Sequence, residues 1–235
     1  MLPGLDWLGV GCCQVCGVVS SQVVCTACDM ALPRNQHACQ QCAVPLAHTA
    51  DAVLCGECLS KPPPFSATCA PFIYQAPIRD WISQFKYQRA LHWGRWLGTA
   101  LGQTVQAQTA ELIIPVPLHA TRLCQRGFNQ AAELAHWASR QVQIPWRTDI
   151  LQRIHQGMEQ QRLSRRERQR NMHRQFRVVK PITAQCVALL DDVVTTGATV
   201  RAAAHALRQA GVPRVVVWAV ARTPKPDTAF IQHRE

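Results

Sequence analysis

The chain has 235 residues, 48% of them hydrophobic, which is enough to bury the core of one full domain and to carry a small additional module. Its formal net charge of +11 favours a polyanionic partner, either a nucleic acid or an anionic membrane surface, although ribosomal contacts or a phosphorylated substrate would also suit it. The sequence shows neither the pattern of an export signal nor a membrane-spanning stretch, so we expect a soluble, cytoplasmic protein.

Eight of the twelve cysteines form four Cys-x-x-Cys pairs in succession near the start of the chain. These pairs are Cys13/Cys16, Cys25/Cys28, Cys39/Cys42 and Cys55/Cys58. Without an export signal, a disulfide scaffold is disfavoured, and a redox motif would account for one pair but not for four. Eight thiolates in four knuckles suit two tetrahedral, structural zinc sites.

The pairing between the knuckles is open at the level of sequence. In chain order the first two pairs form one site and the last two form the other, but an interleaved arrangement is also compatible, and Cys12 could replace Cys13 as a ligand. The four remaining cysteines are expected to be small buried hydrophobic residues: Cys12, Cys69, Cys124 and Cys186. Because this region has little apolar periodicity, we expect metal binding to supply most of its folding free energy and chelation to unfold it.

A run of three prolines after Lys61 marks the predicted boundary, with a zinc module at residues 1–62 and the main domain at residues 63–235. From Pro77 to about Val105 the apolar residues have helical spacing, which predicts two helices. Trp93 and Trp96 recur at helical intervals beside aliphatic residues, so core or interdomain packing is favoured over nucleotide stacking.

Residues 112–117 predict a strand that ends in a rigid Pro-Val-Pro turn. A basic loop containing Gly127 follows, and then a helical run that includes Leu134 and Val142. Arg122 and Arg126 in this loop suit a pyrophosphate group, because a guanidinium matches phosphate oxygens bidentately. A basic surface loop without a ligand is the alternative, more so for Arg122 than for Arg126.

Between Arg162 and Arg177 the chain carries seven arginines and His173 against a single acid, Glu167. Ser164 is a plausible helix cap with Glu167 three residues later, so residues 165–172 are predicted to be helical. Such a run can be a solvated helix face, a mobile lid over a pyrophosphate, or a strip that follows a nucleic-acid backbone.

The most informative segment starts with the apolar run 187–190, which predicts a central strand of a parallel sheet. It ends in Asp191 and Asp192, and a small-residue turn at 195–199 leads into a predicted helix around residues 202–207. The carboxylates can accept hydrogen bonds from ribose hydroxyls, while the backbone N–H groups of the turn and the helix dipole suit a phosphate. A ribose 5′-phosphate satisfies both halves of this segment.

The alternation of helices and apolar strands, closing with a strand at 214–221 after Gly211, indicates an α/β domain with a mainly parallel sheet. Ligands of such sheets bind at the carboxyl ends of the strands. Both candidate loops, 122–130 and 195–199, meet that condition.

Segment 191–199 resembles the phosphoribosyl pyrophosphate (PRPP) signature of type I phosphoribosyltransferases. The wider order of motifs, from the cysteine knuckles through Pro115-Val116-Pro117, residues 126–130, the region 161–171 and residues 191–199, resembles the ComF family of competence-associated proteins over nearly the full chain, and its GntX-like DNA-utilisation branch most. The resemblance implies a type I phosphoribosyltransferase-like parallel sheet with helices on both faces, preceded by a double zinc-ribbon module.

The resemblance also implies roles for individual residues. Asp191 and Asp192 would hold the ribose hydroxyls and the associated Mg²⁺, and Arg126 would face the pyrophosphate, which makes these three the candidate catalytic residues. The PRPP-binding set comprises them and the residues that follow the acidic pair: Val193, Val194, Thr195, Thr196, Gly197, Ala198 and Thr199. Lys86 matches a family lysine without an assigned role. A mobile loop or nucleic-acid contact is expected at Gln161, Arg165, Arg166, Arg168, Arg170 and Asn171.

The implied function is the handling of imported single-stranded DNA in natural transformation or DNA utilisation, with PRPP as ligand and a helicase or import channel among the candidate partners. An active phosphoribosyltransferase acting on an unidentified small acceptor is the alternative, and a scaffold that works through zinc-mediated protein contacts is a third. Thr195 stands where purine-salvage relatives generally place an acid, and a hydroxyl is a poor proton carrier near neutral pH, so purine salvage is disfavoured.

Overall fold

The computed structural model describes residues 11–46, 53–105, 110–154 and 175–225. In chain order the elements are β1 (Gly11–Cys12), β2 (Val19–Ser20), α1 (Thr26–Met30), α2 (Gly56–Ser60), β3 (Ala67–Cys69), β4 (Phe72–Ile73), α3 (Ile78–Gln88), α4 (Leu91–Thr104), β5 (Leu112–Pro115), α5 (Ala120–Arg126), α6 (Gln130–Val142), β6 (Leu151–Arg153), β7 (Phe176–Val178), β8 (Cys186–Val194), α7 (Ala198–Gln209) and β9 (Arg214–Arg222).

A parallel sheet forms the centre of the main domain. Its strands lie in the order β3, β9, β8, β5, and β4 also pairs with β9, so that β3 and β4 share one edge of the sheet. The first five residues of β8 are all buried, as expected for a strand with neighbours on both sides and helices on both faces. The predicted α/β class and parallel sheet are confirmed.

Strand β8 is longer than the sequence indicates, because its ladder with β9 continues to Val194 beside Arg222. Asp191 and Asp192 therefore lie within the strand and not after its end. Since successive side chains of a strand point to opposite faces, the two carboxylates belong to different sides of the sheet. The side of Leu190 is covered by α3, α4 and α6, and the side of Leu189 by α7.

Helices α3 and α4 confirm the two helices predicted between residues 77 and 105, together with the packing role of their tryptophans. The rings of Trp81 and Trp93 stack with their centroids 4.2 Å apart, and Trp96 meets Trp81 edge-on at 5.2 Å. Trp93 is buried in the core shared with Leu97 and Leu101. This aromatic cluster fixes α3, and with it Lys86, against the sheet.

The prediction of a basic loop after β5 is wrong in part, because residues 120–126 form helix α5. The His119 side chain caps its first turn by accepting a hydrogen bond from the Thr121 N–H, at 3.4 Å. Gly127 ends it in the left-handed conformation, with φ 78°, and Asn129 then caps α6. As a consequence Arg122 and Arg126 lie one turn apart on the same side of α5.

The cysteine-rich segment contacts the β3–β4 edge of the sheet directly. The Asn35 amide donates to the carbonyls of Ala43 and Ala70, and the Thr68 hydroxyl donates to the Gln41 carbonyl at 2.8 Å. A domain boundary at residue 62 stays a prediction, and whatever its exact place, the two parts share hydrogen bonds across it. None of the helices in the described ranges is long and apolar enough to cross a bilayer.

Helix α4 packs closely against α3 and α6 because it has glycines at four-residue intervals where it meets them. Gly94 faces α3, and Gly98 and Gly102 face α6. A Cβ atom on Gly98 would lie 2.8 Å from the Trp137 Cβ and 2.9 Å from the Leu134 carbonyl oxygen, both on α6. These atoms belong to or adjoin the backbone of a packed helix and have little room to move. The glycine interval thus sets the distance between α4 and α6.

We expect Gly98→Ala to destabilise the protein by about 1–2 kcal/mol, since overpacking costs about 1–3 kcal/mol and the helix propensity of alanine returns at most about 1 kcal/mol. The free energy of unfolding in denaturant measures this in metal-loaded protein. Gly56→Ala in α2 is the control, because a Cβ there meets no atom within 4 Å. A Gly98→Ala protein as stable as wild type would show that the two helices are not held at contact distance.

Candidate functional site

Two groups of four cysteines are assembled as the chain-order pairing predicts. The first centre contains Cys13, Cys16, Cys25 and Cys28, and the second centre contains Cys39, Cys42, Cys55 and Cys58, with all ligand atoms of a centre within 4.8 Å of one another. The Sγ–Sγ distances of 3.8 Å for Cys16–Cys25 and 3.6 Å for Cys42–Cys55 match the edge of about 3.8 Å expected for a tetrahedron with 2.3 Å zinc–sulfur bonds. The geometry is compatible with two zinc ions.

The two centres are copies of one backbone unit, a repeat that the sequence reading did not identify. The Cys13 N–H donates to the Val18 carbonyl at 2.8 Å, as the Cys39 N–H does to the Val44 carbonyl at 2.9 Å. In each centre the N–H of the third cysteine donates to the sulfur of the first at 3.3 Å. Both copies begin with Cys-Gln-x-Cys, and this shared tetrapeptide was the available signal.

The centres differ in burial. All four ligands of the second centre are buried, whereas Cys16 in the first is exposed. N–H donors from the Cys25 and Cys16 backbone lower the pKa of Cys13 to about 6. Burial raises the pKa of Cys39, but the N–H donors of Cys42, Cys55 and Gln41 outweigh it and bring the value to about 7. Each centre therefore has one sulfur that forms its thiolate at a lower pH than an ordinary cysteine does, which favours metal capture.

The cysteines outside the two centres follow the expectation only in part. Cys186 is buried and Cys69 is half-buried, with a pKa that burial raises to about 11. Cys12 and Cys124 are exposed, so the expectation of buried side chains is wrong for both. Cys124 is carried outward on α5, and Cys12 gives its place in the first centre to Cys13.

The acidic pair of β8 is held by cations from other elements. Asp192 is only 5% exposed, and its Oδ2 lies 2.8 Å from the Lys86 Nζ, while its Oδ1 accepts the Val193 N–H at 2.6 Å. Lys86, whose role the sequence could not assign, is thus the counter-ion of Asp192. Its own side chain is 16% exposed, so the pair is shielded from solvent on most sides and interacts more strongly than a surface pair.

Asp191, on the other face of the strand, has a different electrostatic setting. Burial, and then the charge of Asp192, raise its pKa to about 7, against the opposing influence of the Asp192 N–H, Lys86 and Arg153. Arg153, at the end of β6, also feels the charge of Arg122, and burial lowers its pKa. Sequence reasoning missed Arg153, because a short strand without a loop motif gives no signal. The structure thus places Arg153 near Asp191, and Arg122 near Arg153.

A basic cavity of about 320 Å³ adjoins the acidic pair. It is lined by Lys86, Tyr87, Arg89, Arg122, Gln125 and Arg126. The Arg126 guanidinium lies 5.0 Å from the Tyr87 ring centroid and donates to the Tyr87 hydroxyl at 3.2 Å. Four cations and no acid line this cavity, a composition that suits a polyanion such as a diphosphate.

Arg89 is a second cation that sequence reasoning missed. It ends α3 in the left-handed conformation, with φ 55°, and its guanidinium crosses Gly127 so closely that a Cβ there would lie 2.6 Å from a guanidinium nitrogen. Gly127 is therefore required both by its own φ of 78° and by the passage of Arg89. Gly127 lies in a segment predicted to bind phosphate, but the space left by its missing side chain is taken by the Arg89 guanidinium.

The predicted phosphate loop, residues 195–199, comprises the turn between β8 and α7 and the first two residues of α7. Thr195 and Thr196 are exposed, and the Thr196 hydroxyl accepts the Ala198 N–H at 3.3 Å. Gly197 adopts a left-handed conformation, with φ 78°, immediately before α7. The loop therefore lies at the positive end of a twelve-residue helix.

Several of the predicted site residues lie outside the described part of the chain. Gln161, Arg165, Arg166, Arg168, Arg170 and Asn171, and the helix predicted at 165–172, belong to residues 155–174, which the structure leaves undescribed. Their roles stay predictions. The residues that the structure places in one neighbourhood are Asp191, Asp192, Lys86, Arg122, Arg126 and Arg153.

The chain is similar over most of its length to proteins named for DNA utilisation and competence. No family model matches the chain. DNA utilization protein YhgH of Salmonella typhimurium is 33% identical over 233 residues, covering 94% of this chain and 98% of that protein. Its counterpart in Escherichia coli K12 is 32% identical with the same coverage. Competence protein F of Haemophilus influenzae is 31% identical over 87% of this chain and 92% of its own length.

Among solved structures, the glutamine PRPP amidotransferase of B. subtilis, complexed with ADP and GMP, superposes with a TM-score of 0.38 and 20% sequence identity. The match covers 54% of this chain and 26% of that protein.

The raised pKa of Asp191 predicts a pH-dependent penalty on folding. Between the unfolded value near 3.9 and the folded value of about 7 the native state retains a proton that the unfolded state has lost, so stability falls as pH rises through this window. Asp191→Asn removes the penalty. Chemical unfolding of metal-loaded protein measures the effect. As the pH rises from 5.5 to 8.5, we expect the free energy of unfolding of the variant to increase by about 2 kcal/mol relative to that of wild type.

Asp149→Asn is the control for this experiment. Hydrogen bonds from Arg147 and Lys180 hold the pKa of Asp149 well below its usual range, so it is ionised in both states throughout the window. Its difference from wild type should not change with pH. A constant difference for Asp191→Asn as well would contradict the electrostatic setting described for the acidic pair.

Proposed function

Because this chain belongs to the ComF family of competence and DNA-utilisation proteins, we propose that it is a PRPP-binding, phosphoribosyltransferase-like protein that handles imported single-stranded DNA. The observation that carries the PRPP half is that Lys86 both pairs with Asp192 and lines the basic cavity, while the strand that carries Asp192, β8, leads into the loop at 195–199. A sugar carrying a phosphate at one end and a diphosphate at the other matches this order of charges.

The ribose and its 5′-phosphate occupy the β8–α7 side of the site. The backbone N–H groups and hydroxyls of residues 195–199 bind the phosphate at the positive end of α7. Asp191 and Asp192 accept hydrogen bonds from the ribose hydroxyls. As the ligand enters, the Lys86 ammonium can turn from Asp192 Oδ2 toward the cavity that it already lines, which leaves that oxygen for a hydroxyl.

The diphosphate occupies the basic cavity. Arg126 and Arg122, one turn apart on α5, present two guanidinium groups to one anion, and bidentate contacts of this kind are stronger than those of a single ammonium. Arg126 is held in place by the Tyr87 ring and hydroxyl, so little side-chain entropy is lost when the anion binds.

Mg²⁺ fits this site, because it is bound in proteins by one or two carboxylates together with phosphate oxygens, and the Asp192 carboxylate lies 2.8 Å from Lys86, which lines the proposed diphosphate position. When bound, the ion would neutralise part of the diphosphate charge. Asp191 would act in its ionised form, and the nearby Arg153 limits the cost of that charge.

The single-stranded DNA half rests on charge and on family membership. The chain carries 25 lysines and arginines against 14 acids, and the names of its relatives refer to DNA utilisation and competence. A backbone of phosphates would meet the four cations of the basic cavity region and the arginines of segment 162–177. The two cysteine centres would supply a rigid, metal-bound front to this surface.

An active phosphoribosyltransferase is the second candidate, favoured by the basic cavity itself. In that reaction a nitrogen of the acceptor forms a bond to C1′ of the ribose, the C1′–O bond to the diphosphate breaks, and the diphosphate leaves with the bonding electron pair. Arg122 and Arg126 would stabilise the leaving group, and the proton of the acceptor would pass to solvent. Thr195 carries no carboxylate for this proton, which disfavours purine bases as acceptors.

PRPP binding is tested by calorimetry with Mg²⁺ and full-length protein. The double change Asp191→Asn/Asp192→Asn and the single change Arg126→Ala should each weaken binding at least about tenfold, since each removes a charge-assisted contact worth about 1.5–3 kcal/mol. Asp80→Asn, an exposed carboxylate on α3, should bind as wild type does. Failure of the wild-type protein to bind PRPP would refute the proposal of a PRPP site. A separate assay of diphosphate release from PRPP, across a panel of amines and bases, distinguishes an enzyme from a protein that only binds PRPP.

Single-strand binding is tested by fluorescence anisotropy of a labelled oligonucleotide at several salt concentrations. Neutralised phosphates release counterions, so log affinity should fall linearly with log salt, and Arg122→Ala/Arg126→Ala should reduce the slope by about one unit or more. Arg79→Ala, an exposed arginine paired with Asp80 on α3, is the control. An affinity that does not change between low and moderate salt would contradict the electrostatic basis of the proposal.

A further inference from the structure

Arg222 is the last residue of β9 and lies directly beside Val194, the last residue of β8. It is only 5% exposed, although it is an arginine. Its Nε donates to the Cys42 carbonyl at 3.0 Å, and its Nη1 donates to the carbonyls of Val194 and Thr223 at 2.9 Å and to the carbonyl of Thr195. One buried guanidinium therefore joins three segments of the chain.

The acceptors are all backbone carbonyls, which distinguishes Arg222 from a residue that merely completes an ion pair. A desolvated cation is costly unless several dipoles compensate it, and here the carbonyls at the start of the phosphate loop are among those dipoles. With the Val194 and Thr195 carbonyls turned toward Arg222, the adjoining peptide planes are fixed before a ligand arrives. Preorganised donors of this kind bind an anion without a reorganisation cost.

The fourth acceptor, the Cys42 carbonyl, belongs to a ligand residue of the second centre. The Cys42 carbonyl belongs to the peptide whose Ala43 N–H donates to the Cys39 carbonyl at 2.7 Å. The backbone between two ligand residues of the second centre, Cys39 and Cys42, therefore orients the carbonyl that Arg222 binds. The chain of contacts from metal ligand to phosphate loop is Cys42, Arg222 and Thr195, with a single side chain between the two sites.

A second link runs beside the first. Glu57 of α2, two residues after the ligand Cys55, contacts Arg201 of α7 at 3.1 Å and Lys225 at 3.0 Å. The hydrogen bond from Lys225, together with the charges of Lys225 and Arg201, lowers the pKa of Glu57. The second centre thus touches both the start of the phosphate loop and the helix after it. Across the described ranges, no hydrogen bond or ion pair joins the first centre to residues 194–199.

We propose that Arg222 is a positioning residue through which the second cysteine centre holds the phosphate loop, so that metal binding at this centre and phosphate binding at the loop strengthen each other. The inference rests on the proposed PRPP site. Coupling between two sites is reciprocal. A ligand at the loop must therefore raise the metal affinity of the second centre by the same factor by which that metal raises the affinity for the ligand. The first centre takes no part.

The first test compares ligands in calorimetry of the zinc-loaded full chain. Arg222→Gln should weaken ribose 5-phosphate and PRPP by about tenfold, within the usual range of coupling energies, but leave inorganic pyrophosphate unchanged because the basic cavity does not contact Arg222. Arg222→Lys keeps the charge but cannot reach the same carbonyls as a fork, so it should behave as Arg222→Gln does. Equal loss for all three ligands, or no loss for any, overturns the proposal.

The second test follows zinc transfer to a colorimetric chelator. A Cys16→Ser protein, with the first centre disabled, reports on the second centre alone. Ribose 5-phosphate should slow its release about tenfold, and Arg222→Gln in this background should speed release and abolish the ligand effect. Release from the first centre, followed in a Cys42→Ser protein, should not respond to ribose 5-phosphate. A ligand effect on both centres, or on neither, contradicts the coupling.

Glu57→Gln keeps the proposal testable if Arg222 variants do not fold, since Glu57 is on the surface. It should produce smaller changes in the same direction in both assays, and Asp29→Asn on α1 of the first centre is its matched control. If wild-type protein binds neither PRPP nor ribose 5-phosphate, the proposed function fails. The ligand-free release rates then still decide the structural link, because Arg222→Gln must speed release from the second centre and not from the first.

Discussion

The pairing of β8 on both sides, with β5 and β9, is the constraint on which the site depends. A strand held in register cannot rotate, so two consecutive carboxylates inside it must face opposite sides of the sheet. Each then needs its own compensation in a largely apolar setting. Lys86 reaches Asp192 from α3, and Arg153 reaches Asp191 from β6, which draws two otherwise separate parts of the fold to the same strand.

This constraint also explains why the cations of the site come from so many elements. A single loop could not cover both faces of the sheet, and the cations instead come from α3, α5 and the strand β6, which pairs with β7. The aromatic stacking of Trp81 on Trp93 and the glycine-spaced contact of α4 with α6 make the face that carries Lys86 rigid. Rigid supports of this kind allow a buried ion pair to keep one geometry and not several.

Periodicity and spacing predicted most of the fold and about half of the site. The helices α3, α4, α6 and α7 and the strands β5, β8 and β9 follow from apolar patterns longer than about four residues, and the eight metal-ligand candidates follow from a fixed spacing. Arg153 and Arg89 could not be found this way, because each is a lone cation placed by tertiary contacts. Helix α5 was read as a loop because seven residues with a glycine at the end carry too little periodic signal, and the length of β8 was hidden by acids that usually mark the end of a strand.

The duplicated cysteine unit has placed its two copies in unlike surroundings. One copy is linked through Arg222 to the loop at 195–199, while the other exposes Val15, Val18 and Val19 to solvent. These three valines have no part in the contacts of Arg222 and Glu57, whereas the other copy is constrained by the loop and the helix that it contacts. The same backbone unit therefore supports the interior of the protein in one position and offers apolar side chains to the outside in the other.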